Sequence, residues 1–291
     1  MRIGFIGLGV MGEPMCRNLA RKSGAAVTAY DRAAEPLARL ASVGVAAAGS
    51  VAALSAAADV VFLCLPSGKH VEAVCHGPDG LVAAARPGQI VVDCGTSPVA
   101  LARALAGAFA ARGAVFADAP IARTRQAAED GTLSIMVGAD AATFDAVRPL
   151  LACCASEVSH CGGVGTGQVA KIMNNMVLIQ TVVALSEALA VARRAGMDGQ
   201  VLFETLAKGS ADSFALRNHG MKAVLPGVFP ERAFSTEYAL KDLGYALDLG
   251  AETGMTLPGA ELAAGILRQA IADGDGDLYW PVISRVIDQE C

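Results

Sequence analysis

Residues 2–12 read RIGFIGLGVMG, a short apolar run that passes directly into the glycine pattern Gly7-Leu8-Gly9-Val10-Met11-Gly12. The apolar residues that follow are spaced as on a helix that packs against a sheet. A G-x-G-x-x-G pattern between a strand and a helix predicts a dinucleotide-binding turn. In such a turn the first glycine permits the tight bend, the second lets the backbone approach a pyrophosphate, and the third lets helix and strand pack closely.

Asp31 is the second element of this prediction. It ends the next predicted strand, at 26–30, about twenty residues beyond the glycines, where an acid binds the ribose diol of the adenosine. A carboxylate there repels a 2′-phosphate, so the sequence predicts NAD as the cofactor. Arg32 keeps NADP open as the alternative, because its guanidinium could pair with that phosphate. The alternative for Asp31 itself is a helix N-cap.

The strand–helix alternation continues through the first half of the chain. Apolar strands are predicted at 59–65, 89–93, 115–120 and 133–137, with alanine-rich helices between most of them. This order predicts an α/β Rossmann domain with a doubly wound parallel sheet. Ligands bind at the carboxyl ends of such strands. The residues at these ends are Leu65, Pro66, Gly95, Thr96, Arg123 and Thr124.

The second half of the chain contains no predicted strand. Helical patterns cover 168–195, 198–208, 213–223, 236–254, 258–274 and 279–289. We therefore predict two domains, a nucleotide-binding domain at 1–162 and an all-α domain at 163–291. The long apolar helices of the second domain need more partner surface than one small domain offers, so we expect an obligate dimer.

Lys171 stands out within the first of these helices. It follows a glycine-rich stretch beginning at Gly162, and Asn174 and Asn175 come three and four residues later, on the same helix face. The rest of the helix is apolar nearly all round, which predicts burial. A buried lysine is costly unless it has a partner or a chemical role, and burial lowers its pKa. Lys171 is therefore the first candidate for a residue with a chemical role.

Composition excludes several other functions. The net charge is −5 and no basic run occurs, which argues against nucleic-acid binding. The N-terminus lacks the features of a signal peptide. The apolar segment 172–192 could cross a membrane, but its asparagine, glutamine, serine and glutamate side chains favour a core helix. Eight cysteines show no metal-ligand spacing and read as reduced thiols, so we expect a cytoplasmic protein without metal.

Four ordered motifs together resemble the β-hydroxyacid dehydrogenase family, which includes 3-hydroxyisobutyrate dehydrogenase, tartronate semialdehyde reductase and 6-phosphogluconate dehydrogenase. The resemblance covers essentially the whole chain, and it implies a homodimer or homotetramer. The motifs are the N-terminal FIGLGVMGEPM with Asn18-Leu19, the frame Asp118-Ala119-Pro120 with Gly131-Thr132-Leu133, the glycine–lysine–asparagine stretch 162–175, and Lys241-Asp242-Leu243.

The resemblance implies roles for particular residues. Lys171 would be the general acid/base, Asn175 would hold the reacting oxygen and Asn174 would orient the substrate. Thr96 and Lys241 would line the cofactor or the substrate beside it. Without the resemblance, Lys241 reads as half of a surface ion pair with Asp242.

Two departures from the family pattern concern the substrate. Gly95 stands where the family usually has serine, although its backbone N–H could still bind a carboxylate. Arg123-Thr124 replaces small residues and is similar to the loop of sulfolactaldehyde reductases, where the arginine implies recognition of a sulfonate. The alternative is that Arg123 is solvated, or pairs with Glu129 or Asp130.

Three functional interpretations are considered. The first is an NAD-dependent enzyme interconverting a short anionic aldehyde and its hydroxy acid, such as sulfolactaldehyde and dihydroxypropanesulfonate. The second is the same chemistry on a carboxylate, such as 3-hydroxyisobutyrate or tartronate semialdehyde. The third is a non-catalytic nucleotide-binding protein. Such family members, like the imine reductases of this fold, resemble the pattern with the lysine replaced, and Lys171 is present here.

Overall fold

The computed structural model describes residues 1–231 and 233–288. The chain divides into two units, Met1–Lys171 and Ile172–Cys291. The domain boundary between residues 162 and 163 stays a prediction. The end of the last predicted helix, at residue 289, lies outside the described residues.

The first unit is built on a nine-stranded sheet in the order β3-β2-β1-β4-β5-β6-β8-β7, with β9 paired to β8. Strands β1 to β6 are parallel, so the carboxyl ends of all six lie at one edge. The direction of strand order changes between β1 and β4, which is where open α/β sheets bind ligands. The strands are β1 (Arg2–Ile6), β2 (Ala26–Tyr30), β3 (Ala46–Ala47), β4 (Val60–Leu63), β5 (Ile90–Asp93), β6 (Val115–Asp118), β7 (Ile121–Ala122), β8 (Leu133–Gly138) and β9 (Ala155–Gly162).

Both faces of this sheet are buried, as a doubly wound fold requires. Phe5 of β1 and Phe62 of β4 stack at 6.2 Å in the core of one face, whereas Ile6 and Leu63 belong to the core of the other. This alternation with period two confirms the predicted α/β Rossmann class. The helices of the unit are α1 (Gly12–Lys22), α2 (Ala34–Ala41), α3 (Val51–Ala57), α4 (Gly68–His76), α5 (Leu81–Ala84), α6 (Val99–Ala110), α7 (Arg125–Asp130) and α8 (Ala141–Leu151).

The sheet departs from the predicted parallel arrangement at one end. β8 runs antiparallel to both β6 and β7. β9 was not predicted, although it pairs with β8 along most of its length. Its residues 155–162 are mostly exposed or half-buried, so no apolar pattern marks the strand. Hydrophobic periodicity detects strands by burial, and an exposed edge strand escapes it.

The second unit is helical, as predicted, and its helices lie close to the predicted ranges. The segment predicted as an ordinary helix at 213–223 is instead a π-helix. The elements after the first unit's sheet are α9 (Thr166–Arg194), which joins the two units, α10 (Gly199–Leu206), the π-helix Leu216–Val224, α11 (Thr236–Glu252), α12 (Pro258–Ala272), a 3-10 turn (Trp280–Ile283) and α13 (Ser284–Ile287).

Helix α9 is less buried than its composition predicts. It has 29 residues, and an 18-residue window of it reaches a mean hydropathy of 1.7, enough by length and composition to cross a membrane. Only 44% of that window is buried. Val177 and Val191 are 59% and 68% exposed, so the prediction of a helix buried on all sides was wrong for this chain by itself.

His219 forms an aromatic cluster within the second unit. The Tyr279 hydroxyl lies 2.5 Å from His219 Nδ1, and the Trp280 ring centroid lies 5.3 Å from that of His219. Burial lowers the pKa of His219 to about 4, because the imidazolium would lose its hydration. The histidine is therefore neutral in the folded unit at neutral pH, while an unfolded chain would protonate it near its ordinary pKa of 6.5.

We predict that this difference makes the second unit acid-sensitive. The unfolded state binds more protons between pH 6.5 and 4, so stability is complete above that range and falls as the pH falls through it. The loss approaches about 3 kcal/mol. Trp280 is the single tryptophan of the chain, and its fluorescence in urea titrations at pH 7 and pH 5 reports the transition. In His219→Gln this pH dependence should shrink, whereas exposed His76→Gln should retain it. Equal pH dependence in all three proteins would contradict the prediction.

Candidate active site

The glycine loop between β1 and α1 has the geometry of a nucleotide-binding turn. Gly7 has φ +94, and a side chain there would collide with the Cys64 carbonyl oxygen. At Gly12 a Cβ would collide with the Gly7 carbonyl oxygen, so the third glycine permits the close helix–strand packing. A Cβ at Gly9 would meet nothing within 4 Å. The second glycine therefore faces open space, as the approach of a pyrophosphate requires.

Asp31 connects the end of β2 to this loop. Its Oδ2 accepts a hydrogen bond from the Leu8 N–H at 2.6 Å, and its Oδ1 accepts one from the Ala33 N–H at 2.8 Å. The N-cap position of α2 is Ala33, so Asp31 is not that helix's N-cap. Arg32 is exposed beside it. A carboxylate thus stands at the place that the sequence assigned to the adenosine ribose.

A cleft of about 700 Å³ opens beside the loop. Glu13 is one of the residues that line this cleft. Its carboxylate accepts two hydrogen bonds from Arg39 and one from Arg17, both of which also line the cleft. The hydrogen bond from Arg39 is the main cause that lowers the pKa of Glu13. The lining residues are Leu8, Gly9, Val10, Glu13, Pro14, Arg17, Asp31, Ala33, Glu35, Pro36, Arg39, Arg125 and Glu129.

The turns after β4 and β5 lie against one another and against the glycine loop. A Cβ at Gly7 would be 2.9 Å from Leu65 Cδ2, and one at Gly95 would be 3.0 Å from the Leu65 carbonyl oxygen. Pro66 is exposed and Thr96 is half-buried beside them. The fold therefore brings together the predicted cofactor residues that follow β1, β4 and β5.

One sequence-based suggestion at this edge was wrong. The Gly95 N–H, suggested as a donor to a substrate carboxylate, donates to Asp93 Oδ1 at 2.9 Å within its own turn. Asp93 also accepts from the Ser97 hydroxyl at 2.8 Å and is fully buried. The donor is already used because the buried carboxylate needs partners of its own.

The N-terminus of α9 is bound to the end of β6 through Asp118. This buried carboxylate accepts hydrogen bonds from the Gly165 N–H at 2.6 Å and the Gln168 N–H at 2.7 Å. Burial raises the pKa of Asp118, while these backbone donors act in the opposite direction. Lys171 is half-buried in the next turn of the same helix. The carboxyl edge of the sheet therefore carries the start of the lysine-bearing helix.

Arg123 does not form the ion pairs considered from sequence. Its Nη1 donates to the Thr132 carbonyl oxygen at 2.6 Å and to Ser156 Oγ at 2.7 Å. Glu129 instead pairs with Arg125. Arg123 has φ +86, a conformation that ordinary side chains rarely adopt.

Two neighbours of Arg123 have defined partners as well. Thr124 Oγ1 accepts from the Ala127 N–H at 3.3 Å and caps α7. Asp130, the other acid considered from sequence, accepts from the Gln126 side chain at 2.9 Å. The loop that carries Arg123 is thus held at its start by the hydrogen bonds of Arg123 and at its end by the cap of α7.

A cluster of polar side chains lies within the helical unit and consists of Asn174, Asn175, Lys241 and Asp242. Asn175 Nδ2 donates to Asp242 Oδ2 at 2.7 Å, and Asn174 Nδ2 donates to Asn175 Oδ1 at 3.1 Å. Lys241 Nζ lies 2.6 Å from Asp242 Oδ1 and 4.3 Å from the Tyr238 ring centroid. Asp242 is 2% exposed, so the pair is not the surface ion pair considered from sequence. The fold thus joins the two asparagines to the late lysine.

Several residues that contact the predicted site residues were not predicted from the sequence. Asp242 was seen only as a neighbour of Lys241, and Gln168 and Ser156 were not singled out. Gln168 had a usable signal, since it is a polar residue three positions before Lys171 on the same face of an apolar helix. Ser156 had none, because it lies in the unpredicted strand β9.

Two family models match consecutive parts of the chain. Residues 2–163 match the model for the NAD binding domain of 6-phosphogluconate dehydrogenase. Residues 165–280 match the model described as "NAD-binding of NADP-dependent 3-hydroxyisobutyrate dehydrogenase". Together they cover most of the sequence, including Asp118, Gln168 and the cluster around Asp242.

Named relatives extend over the whole length. The 2-(hydroxymethyl)glutarate dehydrogenase of Eubacterium barkeri is 34% identical over 99% of this chain and 95% of its own. The 2-hydroxy-3-oxopropionate reductase of Escherichia coli K12 is 34% identical over 99% and 97%. A structure of 3-hydroxyisobutyrate dehydrogenase from Mycobacterium tuberculosis with L-serine superposes with a TM-score of 0.90, at 34% identity and 99% coverage of both chains.

The glycine loop, the acid after β2 and these matches define an NAD(P)-dependent oxidoreductase that acts on a CH–OH group. NAD is the cofactor indicated by Asp31, with NADP as the alternative. The chain belongs to the β-hydroxyacid dehydrogenase family.

We predict that Asp31 sets the preference for NADH. Replacing its carboxylate in Asp31→Asn removes the repulsion of a 2′-phosphate, so the ratio of kcat/KM for NADPH to that for NADH should rise at least about tenfold, or 1.4 kcal/mol. The control is Asp140→Asn, because Asp140 also accepts two hydrogen bonds, both from Thr143, but caps α8. An unchanged ratio in Asp31→Asn would remove Asp31 from the specificity site.

Proposed function

We propose that this protein uses NAD(H) to interconvert a short anionic aldehyde and its hydroxy acid, with Lys171 as the general acid/base. The observation that carries the proposal is the anchoring of α9. Its first turn is bound to Asp118 at the carboxyl end of β6, next to the turns that adjoin the glycine loop. The named activities of the relatives, all dehydrogenases or reductases of hydroxy acids, support the same chemistry.

The glycine loop fits a dinucleotide, because Gly9 faces open space and the Asp31 carboxylate accepts a hydrogen bond from the Leu8 N–H of the same loop. When bound, the nicotinamide donates or accepts the hydride. The residues that we propose to hold the cofactor are Gly7, Leu8, Gly9, Val10, Met11, Gly12, Asp31, Arg32, Leu65, Pro66, Thr96 and Lys241.

We propose that the chain's own residues transfer the proton that accompanies hydride transfer. In reduction, Lys171 would donate a proton to the substrate oxygen, and in oxidation it would accept that proton. Asn175 would hold the same oxygen and Asn174 would orient the substrate. The hydrogen bond from Asn175 to buried Asp242 fixes the orientation of that carboxamide, which supports a binding role.

Lys171→Ala tests this assignment. Because a general acid/base contributes about 10²- to 10⁴-fold, kcat with NADH and tartronate semialdehyde or 3-sulfolactaldehyde should fall by that factor. NADH binding, measured by fluorescence titration, should change little. Exposed Lys208→Ala controls for loss of a positive charge. Reductase activity retained in Lys171→Ala would overturn the mechanism.

The substrate we propose carries a sulfonate, as in sulfolactaldehyde and dihydroxypropanesulfonate. Arg123 is the reason, since its guanidinium is a fork of donors suited to such an anion. Both of its bonds engage Nη1, and the remaining N–H groups would bind the ligand together with Thr124. A carboxylate substrate is the alternative, supported by the hydroxy acids named in the relatives.

Arg123→Ala separates these two substrates. If Arg123 is the sulfonate clamp, kcat/KM for 3-sulfolactaldehyde should fall at least about tenfold, or 1.4 kcal/mol, relative to wild type. Arg112→Ala is the matched control, because Arg112 is also exposed and donates to a carbonyl oxygen, that of Ala83. A smaller effect than tenfold, or a wild-type enzyme that reduces only carboxylate aldehydes, would refute the sulfonate proposal.

We also propose a homodimer or homotetramer in the cytoplasm, with no nucleic-acid or membrane partner. Val177, Val191 and Leu262 in the helical unit expose most of their apolar side chains, which supports association of copies. The polar network of Asn174, Asn175 and Asp242 supports a protein environment for α9 rather than a lipid one. A non-catalytic nucleotide-binding protein is the alternative of a different class, and the presence of Lys171 argues against it.

A further inference from the structure

Gln168 makes three hydrogen bonds to the carboxyl edge of the sheet. Its side chain is fully buried. Oε1 accepts from the Ser97 N–H at 3.0 Å, and Nε2 donates to the Gly95 carbonyl oxygen at 2.8 Å. Its backbone N–H donates to Asp118 Oδ2 at 2.7 Å. One residue in the first turn of α9 is therefore attached to the ends of both β5 and β6.

These bonds lie between the glycine loop and the lysine. Gln168 and Lys171 are three residues apart in α9 and so share a face. On the other side, the turn held by Gln168 lies against Leu65, and Leu65 lies against Gly7. Asp93 stiffens that turn, since it accepts from the Gly95 N–H and the Ser97 hydroxyl. A continuous series of packed groups thus leads from the nucleotide loop to the lysine helix.

We propose that Gln168 is a positioning residue that sets the location of Lys171 relative to the hydride-transfer position. It does not touch substrate, and the inference rests on the proposed function of Lys171. A neutral amide suits this role because it accepts one hydrogen bond and donates another without a charge to bury. Methionine has a similar length and lacks both groups. Ionised glutamate keeps the acceptor for Ser97 and loses the donor to Gly95.

The test compares Gln168→Met with Gln89→Met. Gln89 is the matched control because it is also buried in the first unit and donates to two backbone carbonyls, those of Ser55 and Ala58, but it precedes β5 at the opposite edge of the sheet. Since a displacement of about 1 Å lowers rates about a hundredfold, Gln168→Met should lower kcat by 10- to 100-fold. The Kd for NADH should change less than about threefold. Gln89→Met should keep kcat within about twofold of wild type.

Gln168→Glu supplies a readout that a merely structural role would not move. A protonated carboxylic acid both donates and accepts, as the amide does. The ratio of kcat in Gln168→Glu to that of wild type should therefore rise as the pH falls, while the ratio for Gln168→Met stays constant. Equal kcat values in Gln168→Met and Gln89→Met, or a flat pH profile in Gln168→Glu, would overturn the inference.

Hydrogen exchange separates this inference from the proposed function. The Ser97 amide donates to Gln168, so its exchange in the free protein should accelerate in Gln168→Met and not in Gln89→Met. Unchanged Ser97 exchange overturns the inference whatever the activity. A wild-type protein that reduces neither tartronate semialdehyde nor 3-sulfolactaldehyde, or an active Lys171→Ala, overturns the proposed function.

Discussion

The carboxylate of Asp118 at the N-terminus of α9 is the contact on which the rest of the site depends. A buried carboxylate is costly by itself, and burial does raise its pKa. Two short backbone N–H bonds and the positive end of a 29-residue helix offset that cost. Losing the carboxylate would leave buried donors unpaired, which costs about 1–3 kcal/mol for each group. The helix start is therefore held by one side chain of the sheet.

This contact also explains two glycines outside the nucleotide loop. A Cβ on Gly138 would lie 2.5 Å from Asp118 Oδ1, and a Cβ on Gly167 would lie 2.8 Å from Asp118 Oδ2. Any side chain at either position would displace the carboxylate from the helix. Gly167 therefore belongs to the lysine stretch for a packing reason, and not only because the chain turns there.

The helical unit also contains a buried carboxylate whose polar partners are held in place by it. Asp242 is almost fully buried, and it is satisfied by Lys241 on one oxygen and by Asn175 on the other. The Tyr238 and Tyr245 rings lie within 5 Å of the Lys241 ammonium. A buried carboxylate with two partners holds each of them in one orientation. In both units, a buried acid thus orients the groups that the family resemblance assigns to chemistry.

Local patterns were enough to predict the glycine loop, the acid after β2, the α/β class and the all-helical second half. They were not enough at the substrate side. The Gly95 N–H was suggested as a donor to a ligand, although Asp93 already uses it. The alternative that paired Arg123 with Glu129 or Asp130 was also wrong, because Arg123 contacts Thr132 and Ser156. Each error concerns which polar group a side chain meets, and hydrophobic periodicity carries no such information.

The sequence by itself determined the elements and the chemical groups, because a turn, a helix face and a strand depend on residues within a few positions of one another. Only the tertiary structure decided which groups meet. Gln168 bonds to Ser97 across 71 residues of sequence, and Asn175 bonds to Asp242 across 67. Pairings over such distances follow from where the strands and helices end in space. Lys171 was visible in the sequence, but the contacts that hold its helix in place were not.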